Sequence, residues 1–74
     1  MYILIEMQTN NGTTAIVPPT TYSDLSIAYQ AYYTALAAAA VSNVQIHTVV
    51  LMTPIGQIVR VETFNRVPES EPDK

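Results

Sequence analysis

With 74 residues, a net charge of −3 and no cysteine, the chain is long enough for one small domain and has neither disulfides nor thiolate metal sites to staple it. Its three cations, Arg60, Arg66 and Lys74, all fall in the last fifteen positions, which excludes a basic face for nucleic acid, and the lone histidine leaves no cluster for zinc. Three of the six acids, Glu69, Glu71 and Asp73, stand in the last six residues, so the remainder is too poor in carboxylates to mimic DNA.

The start, Met1-Tyr2-Ile3-Leu4-Ile5-Glu6, has no basic residue ahead of its short apolar run. It does not read as a secretory signal, and the protein is expected to stay where it is made. Residues 2–9 are rich in β-branched and apolar types, and Asn11-Gly12 is a strong hairpin signal because both turn positions take positive φ. With Asn10 facing Thr13, Met7 lies opposite Ile16. Ile3, Ile5, Met7 and Ile16 then share one face, and Tyr2, Leu4, Glu6, Ala15 and Val17 share the other. Pro18-Pro19 is expected to end the second strand, because neither can donate to a ladder.

Thr21-x-x-Asp24 resembles a capping box, with Ser23 as a competing cap, and a helix of about 20 residues should follow. Leu25, Ala28, Tyr29, Tyr32, Leu36 and Ala39 fall on one apolar face, and Ser42-Asn43 is the expected stop. A second stripe of small residues, Ala31, Ala35 and Ala38, lies next to Ile27 and Thr34. It serves either a close approach to the sheet or a helix-to-helix contact. Tyr22, Tyr29, Tyr32 and Tyr33 cannot all face inward, and Tyr33 is the one expected at the surface.

Residues 44–52 and 57–65 read as two more strands, joined through Thr53-Pro54-Ile55-Gly56, where Gly56 can take the left-handed conformation beside a bulge. With Thr53 opposite Gln57, Val49, Leu51, Val59 and Val61 point one way, with His47 and Thr63 at the far end. Ile46, Val50, Met52, Ile58 and Phe64 point the other way, among Thr48, Arg60 and Glu62. The expected fold is α+β: a ββαββ domain over residues 1–66, with a four-stranded antiparallel sheet and one helix packed on one face. Residues 67–74, acidic and twice interrupted by proline, are expected to form a flexible solvated tail.

From Leu25 through Val59 the chain runs 35 residues without one Asp, Glu, Lys or Arg. Residues 25–42 approach the length of a membrane span, but Gln30, Thr34, three tyrosines and no flanking Lys or Arg argue against one. The uncharged run is therefore expected to meet another protein chain. One helix can cover only one side of the sheet, yet both sides are apolar. Tyr2, Leu4 and Val17 from the first hairpin, with Ile46, Val50, Met52, Ile58 and Phe64 from the second, would form a patch larger than a monomer usually exposes. About ten such side chains losing half their exposed area would contribute on the order of 10 kcal/mol before association entropy. Self-association, as a homodimer or higher oligomer, is the expected outcome. The interface residues are Tyr33, Ile46, Val50, Met52, Ile58, Arg60, Glu62 and Phe64, with Arg60 and Glu62 as a pair that sets register.

Nothing supports catalysis. His47 stands near Thr63 at the end of the core face and reads as a structural histidine, because no sequence argument brings a carboxylate beside it. The only glycines, Gly12 and Gly56, are turn residues, which leaves no phosphate loop and no cofactor site. The region from Tyr29 to Phe64, with Tyr32-Tyr33, the apolar run 36–41, Gly56 and Arg60-Val61-Glu62-Thr63-Phe64, resembles short uncharacterised proteins of phages and prophages of gut bacteria encoded near tail and late genes. The resemblance implies a noncatalytic viral structural or assembly protein in the host cytoplasm or the virion. The same gene neighbourhoods also carry small inhibitors of host defence proteins, so a binding module with a phage or host partner is the second reading.

Overall fold

The computed structural model describes residues 1–66; the expected acidic tail, 67–74, lies outside the described residues. Strand β1 (Tyr2–Asn10) and strand β2 (Thr13–Tyr22) form the first hairpin, helix α1 (Leu25–Ala40) follows, and β3 (Ile46–Met52) and β4 (Ile58–Asn65) form the second hairpin. The sheet is antiparallel throughout, in the order β2-β1-β3-β4, with the helix on one side. This is the expected α+β, ββαββ arrangement.

The first turn forms as its residues dictate. Asn11 and Gly12 both take positive φ, 53° and 81°, and Asn10 pairs with Thr13 and Met7 with Ile16. Strand β2 does not stop at the prolines; it runs on to Tyr22, with a register shift opposite the segment between Leu4 and Glu6. Proline is tolerated here because β2 is an edge strand, where a missing N–H need not cost a ladder bond, and an irregularity absorbs the two rings. Because β2 consumes Thr21 and Tyr22, the helix is capped by Asp24 rather than by Thr21 or Ser23. The Asp24 carboxylate accepts from the Ser26 N–H at 2.8 Å.

The helix is 16 residues long, ends at Ala40 and has no basic residue in its last turn. Arg66 supplies that charge from outside: its guanidinium donates to the carbonyls of Ala39 and Val44 and lies over the Phe64 ring. The core joins Ala28, Tyr32, Ala35 and Ala39 of the helix to Leu4, Val49 and Leu51 of the sheet, with Tyr2, Tyr22, Tyr29, Leu36, Val59 and Phe64 packed around it. Leu4 is 8% exposed, so the Tyr2–Leu4 side of the first hairpin is the inner one, and the expectation that Tyr2 and Leu4 lie on the uncovered side is wrong. That side of β1 instead carries Ile3, Ile5 and Met7.

The second hairpin differs in register. The Thr53 N–H donates to the Gln57 carbonyl, the Gly56 N–H donates to the Thr53 carbonyl, and Gly56 has φ 89°. The turn is therefore as expected. The ladder then shifts: Met52 pairs with Ile58, but Leu51 pairs with Arg60, Val50 with Val61 and Val49 with Glu62. A bulge at Val59 moves every later residue of β4 to the opposite face. Val59 and Phe64 are five positions apart and cannot share a face of a regular strand. The bulge lets both pack against the core, and it turns Val61, 52% exposed, away from the helix. Arg60, Glu62 and Phe64 consequently lie on the helix side, and the expected placement of these three beside Val50 and Ile58 is corrected.

Candidate interaction surface

The register defines the uncovered side of the sheet row by row, because residues paired across antiparallel strands share a face. Thr21, Ile3, Met52 and Ile58 form one row; Ile5, Val50 and Val61 form the next, beside the proline pair of β2; Ile16, Met7, Thr48 and Thr63 follow; Thr14, Thr9, Ile46 and Asn65 complete it. No charged residue stands anywhere on this face. Val50 at its centre is 8% exposed, shielded by its own neighbours, whereas Ile16 and Ile58 are 61% and 55% exposed. The polar positions are mostly threonines, and two pairs of these satisfy one another, Thr9 with Thr14 at 2.8 Å and Thr48 with Thr63 at 3.0 Å.

Of the residues expected at an interface, Ile46, Val50, Met52 and Ile58 are therefore brought together. Ile3, Ile5, Met7, Ile16 and Val61 join them, and these five were not named from the sequence. For Val61 the missing signal was the odd spacing of Val59 and Phe64, which demands a bulge once both are required in the core; the other four follow from Leu4, not Ile3 or Ile5, facing the helix.

Tyr33, Arg60, Glu62 and Phe64 belong to a second surface across the sheet, where the helix overhangs β4. Tyr33 is 55% exposed, as expected of one of the four tyrosines. Its ring meets Tyr32 edge-on at 5.2 Å and Tyr29 at 6.2 Å, and the Arg60 guanidinium lies 5.5 Å from the Tyr29 ring centre. Arg60 also donates to the Val59 carbonyl at 2.9 Å. Burial, followed by the nearby Glu62 carboxylate and Tyr33, raises the pKa of the Tyr32 hydroxyl above the ordinary tyrosine value, against a smaller opposing effect of Arg60.

His47 is 4% exposed on the inner face, as expected, but its neighbours are Phe64 across β4 and Glu6 from β1. His47 Nε2 lies 3.1 Å from Glu6 Oε1, while the buried Nδ1 has no partner. Of the two tautomers, the one with the hydrogen on Nε2 donates to Glu6 and strands no buried N–H. The pair was hidden from the sequence because it depends on β1 lying beside β3, which only the strand order reveals. Among the described residues no three His, Cys, Asp or Glu side chains come together as a metal site, and no helix is long and apolar enough to cross a membrane.

No protein-family model, curated protein or solved structure matches the chain.

Proposed function

We propose that the chain is a noncatalytic module that self-associates through the uncovered face of its sheet, in the manner of the phage structural or assembly proteins it resembles. The observation that carries this reading is the complete absence of charge from that four-strand face, around Ile5, Val50, Met52, Ile58 and Val61. Antiparallel sheets with a solvated back alternate apolar with polar and charged residues; this one does not. Four strands about 4.8 Å apart and four rows about 6.7 Å apart give a footprint of about 19 by 27 Å. Its accessible area, enlarged by side-chain relief, approaches the roughly 800 Å² per partner of a standard interface.

A second copy stacking back to back would make a sandwich whose interior holds mainly apolar side chains and the two threonine pairs, with Thr21 and Asn65 at its ends. The decisive experiment is the mass in solution of the wild type beside Ile58→Glu and Val61→Glu, two exposed positions where the monomer fold should tolerate the change. Dimer or larger mass in the wild type, falling to monomer in both variants, is expected. A monomeric wild type, or variants of unchanged mass, would overturn the reading.

The Tyr29, Tyr32, Tyr33 and Arg60 cluster favours the second reading, a module that binds a phage or host protein, because tyrosine and arginine are the residue types enriched at interface hot spots. It lies on the opposite side of the sheet, so Tyr33→Ala should leave self-association intact while abolishing capture of such a partner.

A further inference from the structure

A groove runs between helix α1 and the first hairpin, on the side of the sheet away from the self-association face. Its volume is about 510 Å³, within the roughly 300–1,000 Å³ of small-molecule sites. One wall is the small-residue stripe of the helix, Ala31, Ala35 and Ala38, flanked by Ile27; Leu4 and Tyr22 of the sheet face it, and Thr20, Gln30 and Thr34 supply polar groups. Ala35 of the stripe packs into the core and Ala31 lies against it, whereas Ala38 stays exposed, so the stripe closes onto the sheet only in part. Its small side chains leave the space open.

One charged residue lines this space, Glu6. Its Oε1 is held by the buried His47 Nε2 at 3.1 Å, which fixes the carboxylate against the wall of the groove. Neither arginine of the described residues answers it, and its basic neighbour is His47: Arg60 lies over Tyr29 and bonds the Val59 carbonyl, and Arg66 bonds the carbonyls of Ala39 and Val44. A fixed negative charge on an apolar wall, with hydroxyls and an amide nearby, is complementary to one ligand chemistry. We infer that the groove binds a small organic monocation with an apolar body, an amine whose ammonium meets Glu6 and whose body lies along Ala31, Ala35 and Ala38.

The test is an NMR titration of isotope-labelled protein with phenethylammonium chloride at low salt, beside 2-phenylethanol, which has the same shape and no charge. Saturable shifts of the Thr20, Ala31, Thr34 and Ala35 amides are expected with the amine, and binding of the alcohol should be about tenfold weaker or less. Glu6→Gln should remove the preference for the amine. Ala38→Phe, which fills the groove and leaves Glu6 and His47 in place, should abolish binding of both compounds, and it keeps the test decisive should Glu6→Gln unfold. Absence of saturable shifts up to about 10 mM amine, equal binding of amine and alcohol, or amine binding that survives Ala38→Phe overturns the assignment. None of these outcomes depends on whether the opposite face self-associates.

Discussion

Tyr32 sits where burial and charge act on one hydroxyl. Its ring is 3% exposed in the core, and desolvation, then Glu62, then Tyr33 raise its pKa, with Arg60 acting against them. A raised folded-state value means that the unfolded chain releases this proton first as pH rises. The stability held by the protonated hydroxyl is therefore fully present below the unfolded value, about pH 10, and is lost as pH climbs from there through the folded value. The thermal midpoint, followed with tyrosinate absorbance, should fall from about pH 10 upward in the wild type and fall less steeply in Tyr32→Phe. Identical alkaline slopes would remove Tyr32 as the cause. At Leu51, fully buried beside Arg60 of the neighbouring strand, Leu51→Ala should cost about 2–5 kcal/mol. In a domain of this size that is a large share of the total, so loss of the folded circular-dichroism signal at room temperature is the expected result.

At the scale of the element, the bulge in β4 decides which residues meet the helix, and it makes a prediction that a regular strand would reverse. Phe64 packs against the core and Val61 does not. Because Phe64 is only half-buried, Phe64→Ala should cost about 2 kcal/mol, less than the 3–5 kcal/mol of a fully buried phenylalanine, while Val61→Ala should change the stability of the monomer by less than about 0.5 kcal/mol. Urea denaturation of the two variants at low protein concentration measures the difference, and the opposite order would restore the unbulged register. The helix start gives a second case: Asp24→Ala should cost about 1 kcal/mol through the lost Ser26 N–H bond, whereas Thr21→Ala should cost less than about 0.5 kcal/mol, since Thr21 belongs to β2 and caps nothing. These elements also show what the sequence could reveal. The Asn11-Gly12 turn, most of the inward stripe of α1, the two hairpins and the pairing of Asn10 with Thr13 were legible, because turn chemistry and periodicity are local; within the stripe, Leu25 is 37% exposed and Ala35, expected on the separate small-residue stripe, is buried instead. The continuation of β2 through Pro18-Pro19, the side on which Leu4 lies, the flip of Arg60, Glu62 and Phe64, and the meeting of Glu6 with His47 were not. Each depends on strand order or on one extra residue in a ladder, and a one-residue slip reverses a whole face without changing the pattern that is read.

For the whole molecule, the bulge has a consequence larger than the side chains it moves. With Arg60 and Glu62 turned toward the helix, the described charges fall at the rims and on the helix side: Asp24 at the cap, Arg66 at the helix end, Glu6 in the groove, Arg60 and Glu62 beside the tyrosines. The sheet back is left with none. The molecule is also elongated, 44 by 24 by 21 Å, because a 16-residue helix cannot cover four strands, and every residue of β2 from Thr13 through Thr21 is exposed. Such a domain draws little of its stability from its own core, so association and folding should be linked. If copies stack through the sheet backs, the thermal midpoint must rise with protein concentration, since only the folded form associates. A tenfold concentration increase should raise the midpoint of the wild type by a few degrees at least, given that about 1 kcal/mol moves a 60–100-residue domain by roughly 4–8 °C. Ile58→Glu should show no such dependence and should melt at or below the lowest wild-type midpoint. A wild-type midpoint that ignores concentration while the mass remains dimeric would place the contact elsewhere, and the tyrosine surface around Tyr33 is where the corresponding charge substitution should then be made.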